Sequence, residues 1–201
     1  DGNGGTGGEL VLSAGSSVTH KGGDAKVSSG ASTNANSGDT VITSSSGGTT
    51  TGLVTLSSGA SSKGNSGALY IGSGAAASGR SGSIYVTVGT GTSGSGGEVV
   101  ISAGGTDLYT GGKMSLISGK STTTSSGDMV LATANGNTAG TSGYIRMSTG
   151  ASAGSGKDSG KVEILTGVGV QHSGLLALST GTAGAGDSGK MQMLTGLGSA
   201  N

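Results

Sequence analysis

The segment Ser-Gly-Ser-Ile-Tyr-Val-Thr-Val-Gly, residues 81–89, contains the pattern that decides the fold. A glycine is followed by a variable residue, an aliphatic residue, a second variable residue and a second aliphatic residue, and then by small residues and another glycine. Close variants of this segment recur along nearly the whole chain, separated by spacers of small residues. A fixed short period of this kind is typical of a solenoid.

The repeat occurs thirteen times, at spacings of 14 to 17 residues and most often 15. Each copy is identified by the glycine that precedes its aliphatic pair, which we call the start glycine. The start glycines are Gly8, Gly23, Gly38, Gly52, Gly67, Gly82, Gly97, Gly112, Gly127, Gly143, Gly160, Gly174 and Gly189.

Each aliphatic pair is separated by two positions, which places both side chains on the same face of an extended strand. The pattern therefore predicts one short strand per copy, with its pair pointing inward. In the most regular copies the predicted core ladder consists of Leu69, Ile71, Ile84, Val86, Val99 and Ile101. The third inward position is small in most copies, for example Ala14, Ser73 or Thr180, and Val88 is the large exception.

These features predict an all-β fold, a flattened parallel β-solenoid of about 13 coils with about 15 residues per coil. Equivalent strands would stack about 4.8 Å apart and line up identical side chains. Glycines before each copy, such as Gly67 and Gly82, are expected to form tight corners with left-handed backbone angles. Residues 1–201 would form a single array, and the lack of an obvious cap suggests a segment of a longer array or an end-to-end filament.

Composition excludes several classes of protein. Glycine provides 47 of the 201 residues and aromatic residues only 2%, so an ordinary globular core is not expected. The formal net charge is zero, which gives no electrostatic reason to bind nucleic acid. No apolar stretch approaches the roughly 20 residues of a membrane span. Serine and threonine are abundant enough for O-glycosylation, so glycans are a candidate partner.

The outward residues between the members of each pair are apolar in several copies. They suggest a lateral contact surface between neighbouring arrays; the alternative is a set of β-forming residues on a solvated sheet. The lateral-interface candidates are Val41, Tyr70, Tyr85, Val100 and Val130.

No set of residues indicates catalysis, so we expect no enzymatic activity and no cofactor. The two histidines, His20 and His172, lie in spacers ten copies apart and are expected to be solvated. Glu9, Asp24 and Asp39 follow the first three start glycines; stacked carboxylates of this kind could attract a divalent cation, but solvated side chains partly compensated by Lys26 are the simpler interpretation.

The repeat Ser-Gly-x-φ-x-φ-x-Thr-Gly, where φ is aliphatic, resembles the Gly/Ser/Thr-rich β-solenoid arrays of extracellular fibrous and adhesin-like surface proteins. The resemblance implies a structural protein, extracellular or at the cell surface, that forms a rigid rod, filament or appendage by coil stacking, end-to-end contact and lateral association. Repeat antifreeze proteins provide an alternative, an ice-binding solenoid with a flat Thr/Ala/Ser face. Thr90, Thr92 and Ala75 hint at such a face, whereas Asp107 and Lys120 interrupt it.

Overall fold

In the computed structural model of the chain, residues 5–196 are described. None of these residues lies in a helix or a β-strand. The prediction of an all-β fold, a flattened parallel β-solenoid, is therefore wrong: the described part of the chain is irregular coil. The chain divides into two units, Asp1–Val100 and Ile101–Asn201, which we call the first and second units. The prediction that residues 1–201 belong to one repeat array, as a segment of a longer one, stays a prediction.

The repeat nevertheless has a regular local structure in both units. Each copy begins with seven residues without a bend, from the start glycine to the third inward residue, and we call this segment an arm. The arms are residues 8–14, 23–29, 38–44, 52–58, 67–73, 82–88, 97–103, 112–118, 127–133, 143–149, 160–166, 174–180 and 189–195.

Apart from a bend at Gly5, before the first arm, the bends of the described chain lie in the loops between arms, one bend to a loop. They occupy residues 18–20, 33–35, 48–49, 62–64, 77–79, 92–94, 107–109, 122–124, 138–140, 154–156, 170–171 and 184–186. Because every arm has the same length, all variation in the spacing of the repeat lies in the loops.

Each loop brings the next start glycine against the third inward residue of the preceding arm, and we call this contact the clasp. A Cβ built on Gly82 would lie 3.3 Å from the Cβ of Ser73, and a Cβ built on Gly23 would lie 3.3 Å from the Cβ of Ala14. Corresponding contacts occur at all twelve loops. Four clasps also have a backbone hydrogen bond, in which the start glycine N–H donates to the carbonyl of the glycine that follows the preceding arm. These bonds are Gly23 to Gly15 at 2.8 Å, Gly38 to Gly30 at 3.0 Å, Gly112 to Gly104 at 2.8 Å and Gly127 to Gly119 at 2.9 Å.

The clasp explains physically why the coils of the predicted solenoid do not form. A solenoid would place each start glycine beside the previous start glycine, which requires a return segment about as long as the arm, roughly 20 Å for six residue steps. In the structure the loop reverses at its bend and delivers the start glycine to the far end of the preceding arm. Consecutive arms therefore meet end to start, and residues one repeat apart do not lie side by side.

The start glycines do not have the left-handed backbone predicted for them. The positive φ angles are at Gly79 (125°), Gly94 (79°), Gly156 (68°) and Gly186 (99°), each the last residue of a bend. The prediction of left-handed corners at Gly67 and Gly82 is therefore wrong. A Cβ on Gly82 would lie 3.3 Å from the Cβ of Ser73, which is tighter than usual, whereas a Cβ on Gly67 would make an ordinary contact of 3.6 Å with Ser58.

The described residues contain no buried core, either apolar or polar. The accessible surface of the chain is 20397 Å². For its mass of 18.5 kDa, a folded monomer would expose roughly 8,200 Å² and an unfolded chain roughly 27,000 Å². Only six backbone-to-backbone hydrogen bonds join described residues. Most backbone donors and acceptors of the arms are therefore left without a partner from the protein.

Candidate interaction surface: the wedges between arms

The arms at residues 8–14 and 23–29 enclose an open groove beside their clasp. We call this groove a wedge, and we use the same name for the space beside the clasp of any other two consecutive arms. The wedge between residues 8–14 and 23–29 has a volume of about 220 Å³. Its walls are three residues of the first arm and four of the second: Leu12, Ser13, Ala14, Asp24, Ala25, Lys26 and Val27. Aliphatic side chains of two successive repeats therefore face the same space without closing it.

Exposure follows the alternation of the repeat. From the fourth copy onward the first member of each pair is about half exposed, as for Ile84 at 53%, whereas the residue after it is more exposed, as for Tyr85 at 85%. Val99 and Val100, at 56% and 78%, show the same difference. The inward and outward faces inferred from the sequence thus exist as a difference in exposure in these arms, whereas in residues 8–14 the inward Leu10, at 84%, is more exposed than the outward Val11, at 69%.

The six residues of the predicted core ladder lie on three consecutive arms and are all at least half exposed. Their exposed fractions are 52% for Leu69, 69% for Ile71, 53% for Ile84, 75% for Val86, 56% for Val99 and 70% for Ile101. The structure does not bring them together into a core.

The five lateral-interface candidates are all more than three-quarters exposed. The fractions are 76% for Val41, 92% for Tyr70, 85% for Tyr85, 78% for Val100 and 84% for Val130. Their side chains are open to solvent, and their role in lateral contact stays a prediction.

The bends are held by serine hydroxyls, a feature that the sequence reasoning missed. Ser17, Ser32, Ser61 and Ser121 each accept a hydrogen bond through Oγ from the backbone N–H three residues later, at 3.0 Å. Each of these serines stands nine residues after a start glycine and directly before a bend. Serine at this position favours such turns because its hydroxyl can replace a backbone acceptor. A column of small polar residues at one fixed offset was the signal that could have identified them.

Glycine takes the same offset in other loops, where a side chain would not fit. A Cβ on Gly47 would overlap the carbonyl oxygen of Thr50, and a Cβ on Gly169 would overlap that of His172. A Cβ on Gly136 would lie 2.7 Å from the carbonyl oxygen of Gly140. In these seven loops the bend therefore forms either around a serine hydroxyl or around a glycine that permits a tighter backbone.

Charged residues pair within a loop and arm or within one arm. Lys21 and Asp24 form an ion pair at 2.7 Å, and Lys161 and Glu163 form another at 2.7 Å. All four side chains are more than half exposed, so each pair contributes little to stability, about 0–1 kcal/mol. Within residues 5–196 there is no group of three or more acidic or histidine side chains that could hold a metal ion. Glu9, Asp24 and Asp39 thus do not form a ligand set.

The two histidines lie in loops at the surface. The Nδ1 atom of His20 is 2.8 Å from the Oγ1 of Thr19, and its backbone N–H donates to Ser17. His172 directly follows the bend at residues 170–171. No catalytic arrangement of these residues is present in the described chain, and the absence of enzymatic activity stays a prediction.

Comparison with known proteins gives no match, whether to family models, to curated proteins or to solved structures. Together with the lack of strands among residues 5–196, this removes the support for the resemblance to β-solenoid arrays of fibrous and adhesin-like proteins. The structural, extracellular and adhesive attributes that came with that resemblance therefore lose their basis. Over the described range, no helix has both the length and the apolar character that crossing a membrane requires.

Proposed function

We propose that this chain is a non-catalytic repeat segment that acts by associating with further copies of itself. The observation that carries the proposal is that the arms leave their aliphatic pairs about half exposed or more at regular intervals. Exposed apolar surface that repeats in this way is a mark of protein interaction sites. A filament formed by stacking of solenoid turns within one chain is not part of the proposal, since the described chain forms no solenoid.

The backbone of the arms supports the same proposal. An extended segment with unpaired N–H and C=O groups is a template for pairing with another chain, and no backbone hydrogen bond of the described chain has both partners within arms. A partner copy would supply the missing donors and acceptors. It would also cover the aliphatic pairs, each side chain gaining up to about 1.5–3 kcal/mol if it became fully buried.

The absence of net charge is compatible with this association. A formal net charge of zero means that copies do not repel each other at long range. No feature of the loops favours the ice-binding alternative, because residues 75–77 and 90–92 belong to loops that form no sheet in the described chain. That alternative and the extracellular or cell-surface location stay predictions from the sequence.

Sedimentation velocity of the full chain over a range of concentrations tests the proposal. We expect the average mass to rise with concentration and a β-type far-ultraviolet circular dichroism signal to rise with it. A double substitution in an arm, Ile84→Ser with Val86→Ser, should shift half-association to a concentration at least roughly tenfold higher, because each lost aliphatic contact is worth on the order of 1 kcal/mol or more.

The matched control is Leu108→Ser with Tyr109→Ser, which removes two side chains that are 84% and 85% exposed in a bend rather than in an arm. This variant should associate like the unchanged protein. A chain that remains monomeric at every concentration would refute the proposed function, and equal weakening by the two double variants would show that the arms are not the contact surface.

A further inference from the structure

The wedges differ in charge between the two units, and the difference lies directly beside the aliphatic pairs. The residue after the start glycine is acidic in four arms that begin in the first unit and basic in none: Glu9, Asp24, Asp39 and Glu98. In the second unit the same position is basic in three arms and acidic in one: Lys113, Lys161 and Lys190, against Asp128.

Asp24 shows what this position contributes to a wedge. Its residue is part of the wall of the 220 Å³ groove, next to Ala25 and opposite Leu12. Its carboxylate pairs only with the exposed Lys21, and an exposed pair of this type is readily exchanged for another because it contributes so little. A segment entering the groove therefore meets an aliphatic wall edged by the carboxylate of Asp24 and, two residues further along the same arm, by the amine of Lys26.

The second unit contains segments with the complementary chemistry. An arm such as residues 160–166 offers two aliphatic side chains, Val162 and Ile164, on one face, and both are about half exposed at 55% and 51%. Lys161 stands beside the first of them, and its present partner, Glu163, is exposed and lies in the same arm. Such an arm would place its aliphatic pair in the groove and its lysine at the carboxylate.

We propose that the wedges of the first unit receive arms of the second unit of another copy of this chain. This inference rests on the proposed self-association and specifies its partner surfaces. The contact is head to tail: a first-unit surface of one copy binds a second-unit surface of the next, which leaves a free surface of each kind at the ends and extends the assembly. Docking of two first-unit surfaces would oppose carboxylates, which is unfavourable.

The repeat spacing makes several such contacts form together. Wedges and arms recur with the same period, most often 15 residues, so an arm seated in one wedge brings its neighbour close to the next. Linked contacts of this kind raise the overall affinity far above that of one contact. The loops, which hold all the variation in length, would adjust the spacing where the period departs from 15.

Charge reversal in the full chain tests this pairing. The acid-reversed variant carries Glu9→Lys, Asp24→Lys and Asp39→Lys, and the base-reversed variant carries Lys113→Glu, Lys161→Glu and Lys190→Glu. Measured by sedimentation velocity at low ionic strength, each variant alone should require a concentration roughly tenfold higher, or more, for half-association. An equimolar mixture of the two should associate at about the concentration of the unchanged protein, because each then offers the surface that the other needs.

A matched pair of variants separates this effect from attraction between oppositely charged chains in general. Asp107→Lys, Asp158→Lys and Asp187→Lys change the net charge as the acid-reversed variant does, and Lys63→Glu, Lys120→Glu and Lys157→Glu change it as the base-reversed variant does, but all six residues lie in loops. The concentration needed for half-association should be at least roughly tenfold lower for each loop variant than for the corresponding arm variant.

The outcomes are distinguishable. If the unchanged chain does not associate, the proposed function fails. If it associates, but the arm variants behave like the loop variants or the mixture does not recover, only the head-to-tail pairing is overturned. Recovery in the mixture of arm variants, with little effect of the loop variants, supports the pairing.

Discussion

At the tightest clasps the start glycine leaves room because it lacks a side chain, and a left-handed backbone has no part in this. Gly97 shows the contact at its tightest, since a Cβ there would lie 2.7 Å from Cγ1 of Val88. Val88 is the one large residue at the third inward position and is also the least exposed aliphatic side chain of the described chain, at 46%. Elsewhere this position is alanine, serine or threonine, and the small side chain allows the two arms to approach.

Threonine adds a polar contact to the clasp in the second unit. The Oγ1 of Thr133 donates to the carbonyl oxygen of Gly143 at 3.2 Å, across the ninth loop. The methyl group of the same threonine lies beside Gly143, at 3.5 Å from a Cβ built there. Thr133 thus combines a hydrogen bond with a nonpolar contact at one position.

A pair of adjacent glycines provides the test at this scale. Gly47→Ala is expected to open the loop between residues 44 and 52, because the new Cβ would overlap the carbonyl oxygen of Thr50. Moving that backbone costs on the order of 1–3 kcal/mol, so the closed loop should become roughly tenfold less populated. The measurement is the NMR cross-peak between Ser44 and Gly52, which form the clasp.

The control is Gly48→Ala, since a Cβ on Gly48 would have no atom within 4 Å. This variant should retain the Ser44 to Gly52 cross-peak at close to its original intensity. Equal loss in the two variants would mean that the tight approach of Gly47 and Thr50 does not hold the loop.

At the scale of elements, the repeat showed where the arms lie, but the strands and the stacked arrangement predicted for them are absent from the described chain. Alternation within residues 82–88 showed which side chains share a face, and exposure of Ile84 and Tyr85 differs as expected. Alternation does not show which segment lies next to an arm. Two arrangements, strands stacked one repeat apart or arms joined end to start, have the same pattern of small and aliphatic residues, and the bends decide between them.

The third inward position of the arms also shows what the sequence leaves open. The sequence shows a small residue there in nearly every copy, but a small residue is compatible both with a thin solenoid and with a clasp. The offset of the bend serines was the additional signal, because a serine that reverses the loop at its middle is incompatible with a long, straight return segment. The sequence could thus predict which side chains of an arm share a face. It could not predict that two consecutive arms would enclose a wedge.

The serine before a bend is the element to test. Ser61→Ala removes the acceptor of the Gly64 N–H, and a net loss of about 0.5–1.5 kcal/mol corresponds to a roughly two- to tenfold faster amide exchange at Gly64. The adjacent Ser62→Ala leaves the Ser61 acceptor in place and should not alter Gly64. Amide exchange followed by NMR checks both, and unchanged exchange in Ser61→Ala would show that the hydroxyl does not hold the bend.

Whether the whole molecule forms a core depends on two opposing contributions. Burial of the repeated aliphatic pairs favours folding, and the conformational entropy lost by the backbone opposes it. Glycine loses more conformational freedom on folding than any other residue, and this chain contains 47 glycines. Two aliphatic side chains per arm are too few to form a core around each repeat, and the described chain contains no buried residue. Association between copies offers apolar contacts and backbone partners at many arms at once, which one copy does not provide for itself.

This balance predicts how the chain responds to heat. An ordinary domain of 201 residues would absorb roughly 140 kcal/mol on unfolding near 60 °C. In dilute solution, below the concentration of association, calorimetry of this chain should show no cooperative heat absorption, because there is no core to expose. As the concentration is raised through the association range, a transition should appear, and its midpoint should rise with concentration because association stabilises the ordered form.

The Ile84→Ser and Val86→Ser variant should require a higher concentration for the same transition, whereas the Leu108→Ser and Tyr109→Ser variant should not. A sharp transition with an enthalpy near that of an ordinary domain, present in the monomer and independent of concentration, would contradict the coreless structure itself.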